Sequence, residues 1–340
     1  MKKYIFKIIV FCFLSIQSVF AGEFIDGRIK LIINEKSGRF SLYYMTDIAN
    51  EEYLPFFVDQ DQRTSFLSIM LKNQSYKMGD SSLFKTSLGG TPSSPSLVFE
   101  STFLVVTENF SFIKTGSSPL TNGVLITITV TNKGEQPIDA GIRFMLDTFL
   151  GEKNPPHFTT DVRQINNELL IDGSFSDQFW VSKNNRLALM GSIEGKNLTR
   201  PDLVLFSNWK RLNDTAWKIP YIQGRSFNLL PYSIDDSAVC YFYDPVELTK
   251  GSSRVVSFML SSEDQNSFTL SNPFDISMLI REMEKIDDDF TGSIRNDLVT
   301  LRDLIVRLDY CVSGGIEISN EELSAIGLLI SRIKSKYSIP

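Results

Sequence analysis

The side chain best suited to proton transfer is His157, the only histidine in this chain of 340 residues. Its ordinary pKa of about 6.5 would allow it to act as a general acid or base near neutral pH. Pro155 and Pro156 precede it and restrict the loop that carries it. A single loop histidine is more often a surface or packing residue than a catalytic one. We therefore retain His157 as a candidate ligand-binding residue and assign no catalytic residue.

Two charged residues lie just before this loop, on a segment with the pattern of a strand. Arg143 and Asp147 are separated by an even number of positions, so in an extended strand they point to the same face. They form either the rim of a sugar-binding site or an ordinary ion pair on that face, and the ion pair is favoured. Asp147, at the head of a tight loop, can also cap the turn through its side-chain oxygen.

Asp235 and Asp236 form an acidic pair just before another strand-like segment. Paired carboxylates hydrolyse glycosides when they lie at suitable separations, and carboxylate oxygens are ligands for Ca²⁺. However, adjacent residues of an extended chain point to opposite faces, so these two would be a poor catalytic pair by themselves. Acidic residues that form a turn are the favoured interpretation.

Three tryptophans, Trp180, Trp209 and Trp217, each lie near polar or basic residues in the sequence. Such aromatic side chains could stack on sugar rings or anchor a protein partner. Because aromatic residues make up 12% of the chain, core packing is the favoured interpretation for at least two of the three. All three are retained as candidate ligand-binding residues.

Several classes of chemistry lack their sequence motif. The chain has no cluster of Cys and His with metal-ligand spacing, no Gly-x-Ser-x-Gly nucleophile elbow and no Walker loop. We therefore predict no metal site and no cofactor. The net charge of −6 and the sparse basic residues argue against nucleic acid as a partner.

From about position 24 to position 260, the segments that position these residues have the sequence pattern of short strands. Residues 27–33 and 39–44 alternate in polarity around a turn at 34–38, which is the signal of a hairpin, and residues 124–132 alternate most clearly. Residues 87–96 are rich in Gly, Pro and Ser and are predicted to be a connector. Many strands without intervening helices predict a mainly β fold, a large antiparallel sandwich over residues 22–265.

The pattern changes after residue 271. Apolar residues then recur at helical spacing, Gly314 and Gly315 resemble a helix C-terminus, and Ser319 with Glu322 forms a capping box. Residues 272–340 are thus predicted to be an α-helical hairpin. Cys240 and Cys311 either form a disulfide or are two buried thiols.

The first residues have the three parts of a secretory signal peptide. Lys2 and Lys3 are followed by an apolar run and then by a small residue, Ala21, after which cleavage is predicted. Residues 1–21 are therefore expected to be removed, and the mature protein to be periplasmic or secreted. No later apolar run reaches the ~20 residues of a spanning helix, so no transmembrane segment is expected in the mature form.

Three stretches of the sequence resemble the β-supersandwich of galactose mutarotase and of several carbohydrate-active enzymes. They are the opening hairpin at 27–40, the strand, Asn-x-Gly turn and strand at 129–144, and the strand pair at 244–254. The resemblance spans about residues 24–260 and implies a sandwich fold. The family acts on sugar rings with His residues and a Glu. Since this chain has a single His, no catalytic residue is carried over.

The sequence favours the function of a non-enzymatic binding or assembly protein of the cell envelope. The sandwich would be the scaffold and the helical tail the interaction element, with an envelope protein, an appendage protein or a glycan as partner. This preference rests on the absence of catalytic motifs. The alternative is a carbohydrate-active enzyme or glycan-binding module of mutarotase-like fold.

Overall fold

The computed structural model describes residues 21–262, except positions 49, 59–61, 117, 119 and 154, together with residues 327, 331 and 334. The predicted signal peptide and helical hairpin, and Cys311, lie outside the described residues, apart from Ala21 and those last three positions. Among the described residues, no helix is both long and apolar enough to cross a membrane.

The described part is built almost entirely of antiparallel strands, as predicted, in three sheets. A four-stranded sheet contains β1 (Ala21–Asp26), β2 (Ile29–Asn34), β3 (Arg39–Asp47) and β4 (Glu52–Pro55). A six-stranded sheet contains β5 (Phe66–Leu71), β6 (Gln74–Lys77), β11 (Ile138–Leu146), β14 (Leu169–Asp172), β17 (Leu203–Asn208) and β18 (Ser237–Leu248). A nine-stranded sheet contains β7 (Lys85–Thr91), β8 (Ser94–Glu100), β9 (Leu104–Ile113), β10 (Gly123–Asn132), β12 (Phe158–Thr160), β13 (Gln164–Ile165), β15 (Phe179–Lys183), β16 (Ala188–Ser192) and β19 (Ser253–Ser262).

The strand order within the two larger sheets brings distant parts of the chain together. The six strands lie in the order β14, β17, β18, β11, β5, β6, and the nine in the order β13, β12, β15, β16, β19, β10, β9, β8, β7. Phe144 of β11 and Tyr241 of β18 both pack against Phe258 of β19, with ring centroids 4.8 and 5.2 Å apart. The core of the sandwich therefore lies between these two sheets.

The alternating pattern that predicted the strands is visible in their burial. In β10 the side chains of Val124, Ile126, Ile128 and Val130 are buried, while the intervening positions are only partly buried. This is the period of two that a strand with one face on the core requires.

Residues 87–96 differ from the prediction, because they form most of the hairpin of β7 and β8 and not a connector. β7, which carries Gly89 and Gly90, is the edge strand of its sheet, and Pro95 lies near the start of β8, before the residues that pair with β9. Gly90 has a φ of +78°, a conformation that glycine adopts without a steric penalty, and it lies opposite Pro95 in the pair. The Gly and Pro content of this segment thus marks an edge hairpin.

One helix, α1 (Trp209–Asp214), follows β17 directly. Asn208 caps its N-terminus, since the side-chain oxygen accepts a hydrogen bond from the N–H of Arg211 at 3.2 Å. The only buried residue of the helix, Leu212, packs with Met145 and Cys240 on the face of the six-stranded sheet that points away from the main core. α1 therefore covers part of that face.

Candidate acidic site at one end of the sandwich

Three carboxylates from separate parts of the chain converge at one end of the six-stranded sheet. Asp147 directly follows β11, Glu152 lies on the loop after it, and Asp236 directly precedes β18. β11 and β18 are antiparallel neighbours, with Leu146 opposite Val239, so the end of one strand lies beside the start of the other. One carboxylate oxygen from each acid lies within 4.8 Å of the others. We call Asp147, Glu152 and Asp236 the acidic site.

Backbone hydrogen bonds fix two of the three acids. The N–H of Asp147 donates to Ser65 Oγ at 2.9 Å, and its carbonyl accepts from the N–H of Val58 at 3.3 Å. The carbonyl of Asp236 accepts from the N–H of Trp209 at 3.1 Å and from Asn208 Nδ2 at 3.0 Å. The backbone carrying these acids is therefore preorganised by the strand ends and by the start of α1.

The electrostatics of the site centre on Glu152. Burial, and to a smaller extent the negative charges of Asp147, Asp236 and Asp235, raise the pKa of its carboxyl to about 8, against a hydrogen bond from the N–H of Ser237 at 3.1 Å. Burial also raises the pKa of Asp236. Glu152 is thus mostly protonated at pH 7, and it can donate a proton as well as accept a hydrogen bond.

His157 lies beside the acids and is buried. Its Nδ1 is 2.9 Å from Ser237 Oγ, and its ring packs on Phe227 with centroids 4.7 Å apart. Burial lowers the pKa of the imidazole, against the charge of Asp235. The side chain is therefore neutral at pH 7 and shares Ser237 with Glu152, which suits it to hold that residue in place.

Trp209 borders the same site at the first position of α1. Its Nε1 donates to the carbonyl of Thr64 at 3.0 Å, and Thr64 precedes the Ser65 that binds Asp147. The indole is only partly buried. The backbone N–H of Trp209 thus bonds the carbonyl of Asp236, while its indole packs on the apolar cluster that contains Met145 and Leu212.

Arg143 and Trp217 lie further along the same face of the sheet. The Arg143 guanidinium donates to the carbonyls of Leu212 at 2.5 Å and Thr215 at 2.7 Å, at the C-terminal end of α1. The Trp217 ring packs on Phe242 in an edge-to-face contact, with centroids 5.6 Å apart. These two side chains hold α1 and the segment after it against the sheet, and their described contacts are structural.

Trp180 lies apart from the acidic site, in the core between the two larger sheets. Its side chain is fully buried, and its Nε1 donates to Tyr241 Oη at 2.6 Å. The Tyr241 hydroxyl in turn donates to the carbonyl of Ser192 at 2.7 Å. The indole therefore has no exposed face on which a sugar ring could stack.

The sequence prediction thus identified Asp147, His157 and Trp209 as candidates, and the structure brings these three together. Glu152 was not among the candidates, and Asp236 was considered only with its neighbour Asp235. Asp236 lies beside Asp147 because of the register in which β11 and β18 pair, and no local sequence motif encodes that register. The signal that was available is the position of Glu152, within the loop that ends at His157.

Chemically, one protonated and two further carboxyl groups within 4.8 Å can supply a proton to one atom of a substrate and remove one from another. Three converging carboxylates are also oxygen ligands of the kind that Ca²⁺ takes. The sequence motifs that predict metal sites are local, and this set is not, so the prediction of no metal site did not consider it.

Comparisons with known proteins return structures and no sequence relatives. No protein-family model matches the sequence. No curated protein matches it either. A galactose mutarotase-like protein from Lactobacillus casei is similar at a TM-score of 0.43 and 10% identity, over 72% of this chain and 100% of that one. A galactose mutarotase related enzyme from Lactobacillus acidophilus gives 0.40 and 10%, over 74% and 100%.

An aldose epimerase homologue from C. elegans is similar at a TM-score of 0.42 and 8% identity, over 72% of this chain and 99% of that chain. These matches belong to the class of fold that the turn motifs of the sequence resemble. At such identities the likeness concerns the fold alone.

Proposed function

We propose that the acidic site binds a carbohydrate and catalyses proton transfer to and from it. The observation that carries this proposal is the pKa of about 8 at Glu152, in contact range of Asp147 and Asp236. A protonated carboxyl and an ionised one side by side are the acid and base that chemistry at a sugar's anomeric carbon requires. Trp209 beside them offers a surface for the sugar ring.

The reaction that fits this pair is the opening and closing of a hemiacetal ring. Glu152 donates its proton to the ring oxygen, while an ionised carboxylate of Asp147 or Asp236 accepts the proton of the anomeric hydroxyl. The bond between the anomeric carbon and the ring oxygen breaks, and a free aldehyde forms. The reverse transfers close the ring with either configuration, so no co-reactant is consumed.

The location that we propose for this activity is outside the cytoplasm. It rests on the signal-peptide pattern of residues 1–21, and it is compatible with glycans or free sugars as substrates. The sequence favoured an assembly role in the cell envelope because it contained no catalytic motif. The acidic site, in which Asp236 joins two acids from a distant part of the sequence, shifts the preference to the carbohydrate function.

The test is a measurement of anomer exchange by NMR magnetisation transfer on a panel of aldoses, with the full-length mature protein. We expect the exchange rate to rise with wild-type protein, and the Glu152→Gln variant to lose at least ~100-fold of that rate, the usual contribution of a general acid. The wild-type rate should fall as the pH rises through about 8, where Glu152 loses its proton.

The matched control is Glu247→Gln, which removes an exposed carboxylate on β18 away from the site. It should leave the exchange rate unchanged. Exchange with Glu152→Gln at the wild-type rate would show that the site is not catalytic. If no aldose exchanges but a specific envelope protein binds, the assembly role is correct.

A further inference from the structure

An exposed apolar turn projects from the chain just before the acidic site. Residues 229–234, which we call the apolar tip, carry Leu230, Tyr232 and Ile234, exposed by 72%, 70% and 70%. Isolated exposed apolar residues are common, but three large ones within five positions of one turn expose an apolar surface that water solvates poorly. Such a surface indicates a binding partner.

The apolar tip is a built structure. Leu229 and Ser233 form a β-bridge, with the N–H of Leu229 donating to the carbonyl of Ser233 at 2.9 Å. Ser233 Oγ accepts from Asn208 Nδ2 at 2.9 Å, and Lys210 Nζ lies 5.4 Å from the centre of the Tyr232 ring. The turn is therefore anchored to the start of α1, and its apolar side chains are presented in a defined arrangement.

The described sandwich ends at the same end of the molecule. Ser262, the last residue of β19, lies opposite Leu189, which lies opposite Ser182 in the neighbouring strand pair. Ser182 Oγ accepts a hydrogen bond from the N–H of Gly151 at 3.1 Å, and Gly151 precedes Glu152 in the loop of the acidic site. The chain therefore leaves the sandwich near the acidic site.

The acidic site connects that exit point to the apolar tip. Glu152 Oε1 accepts from the N–H of Ser237, which is only three positions after Ile234. Ser262 and the apolar tip are thus linked by a short series of residue contacts. Residues 263–271, when fully extended, reach about 30 Å, which is enough to bring the following segment over the tip.

The sequence of the segment that follows predicts a complementary apolar face. Gly327, Ser331 and Lys334 are helical and exposed, and Ser331 Oγ donates to the carbonyl of Gly327 at 2.8 Å. Their spacing places them on one face of a helix. The helical spacing of Ile326, Leu329, Ile330 and Ile333 in the sequence predicts that these residues lie on the opposite face. An amphipathic helix with this pattern requires an apolar surface to cover its stripe.

We propose that residues 272–340 dock on the apolar tip of their own chain. The tip supplies three exposed apolar side chains, the tail supplies an apolar stripe, and the exit at Ser262 places the two within reach. Because the tail is tethered, its effective concentration at the tip is in the millimolar range, so a modest interaction is sufficient. A second copy of the chain or a different protein would have to compete with this tethered segment.

The occupant of the tip can be identified directly by photo-crosslinking in the full-length mature protein. Tyr232 is replaced by the photoreactive residue p-benzoylphenylalanine, and the cross-linked peptides are mapped by mass spectrometry. We expect a cross-link within one chain to a peptide from residues 272–340. The control places the same residue at Val255, which is 55% exposed on β19, and should not give this product.

The other results of this experiment would each contradict the proposal. A cross-link between two chains would assign the tip to a second copy. A cross-link only to residues of the sandwich, or no cross-link to residues 272–340, would show that the tail does not cover the tip.

A second measurement, hydrogen exchange, uses variants with altered tips. In the Leu230→Asp and Ile234→Asp double variant, we expect amides of residues 272–340 to exchange at least ~10-fold faster than in wild type, while Val255→Asp has no such effect. Equal exchange in the double variant and wild type would overturn the proposal. Protection that increases with protein concentration would indicate association between copies and would also overturn it.

Discussion

Two glutamates of this protein, the buried Glu108 and the partly buried Glu152, have the same raised pKa of about 8 and very different surroundings. Glu108 lies on β9 and points into the core, on the same face as Val106 and Phe110. Its Oε1 has no hydrogen-bond partner among the described residues. Glu152 lies on a loop, accepts a hydrogen bond from Ser237 and is surrounded by other acids.

The difference between them lies in what else acts on each carboxyl. Burial is the largest cause at both positions, but at Glu108 it is opposed only by the positive charge of Arg39. At Glu152 the charges of Asp147 and Asp236 add to burial. Among the described residues, Arg39 is the one charged group that acts on Glu108, so no second carboxyl is there with which it could exchange a proton. A shifted pKa alone therefore does not define a functional site; the neighbouring groups do.

The largest predicted difference between the two glutamates is the effect of replacing Glu108 on the free energy of unfolding. Its pKa is raised from 4.5 to about 8, so above pH 4.5 the unfolded chain loses the proton while the folded protein retains it. Stability therefore falls as the pH rises from about 4.5 to 8, by at most about 5 kcal/mol. Urea unfolding should show that Glu108→Gln matches wild type near pH 4.5 and is clearly more stable at pH 9.

The corresponding substitution at the loop position, Glu152→Gln, tests the comparison of the two glutamates. Glu152→Gln keeps an oxygen that can accept from Ser237 and removes repulsion between carboxylates, so it should also be more stable than wild type at pH 9. The gain should be smaller than for Glu108→Gln, because Glu152 is only partly buried and water screens its negative charge. The Glu108→Gln variant should retain the activity proposed for the acidic site. If the two stability gains are equal, the contrast between core and loop is wrong.

The fold could be predicted largely from local patterns. The predicted hairpin of residues 27–33 and 39–44 corresponds to β2 and β3, and the predicted strand over residues 124–132 corresponds to β10. The hairpin of β7 and β8 was missed because Gly and Pro mark turns in most contexts, and only its place at the sheet edge makes them compatible with a strand.

The acidic site could be predicted only in part, for a physical reason. Asp147 and His157 belong to one strand and one loop, so their proximity follows from the local sequence. Asp236 joins them because β18 pairs with β11, a contact between residues about ninety positions apart. Such register depends on the packing of the complete sheets, and no local spacing contains it.

The next prediction concerns Trp180, whose buried N–H has a hydrogen-bond partner, whereas Glu108 Oε1 has none among the described residues. Trp180→Phe removes the bond to Tyr241 and part of the ring, so it should lower the free energy of unfolding by about 2 kcal/mol. Unlike Glu108→Gln, the loss should be the same at pH 5 and pH 7, since neither group titrates there. Urea unfolding at both values checks this, and a loss that grows with pH would contradict it.

His157 should produce the smallest effect and the opposite pH dependence to Glu108. Burial lowers the pKa of its imidazole below the ordinary 6.5, so as the pH falls below that value the unfolded chain binds a proton that the folded protein resists. Its contribution is therefore present above pH 6.5 and lost toward lower pH. His157→Gln removes the titration and keeps a group that can bond Ser237, so the variant should lose less stability than wild type between pH 7 and pH 5. The same urea measurements test this. If the stability of the variant falls as steeply as that of wild type, burial of the neutral imidazole does not contribute to the pH dependence of stability.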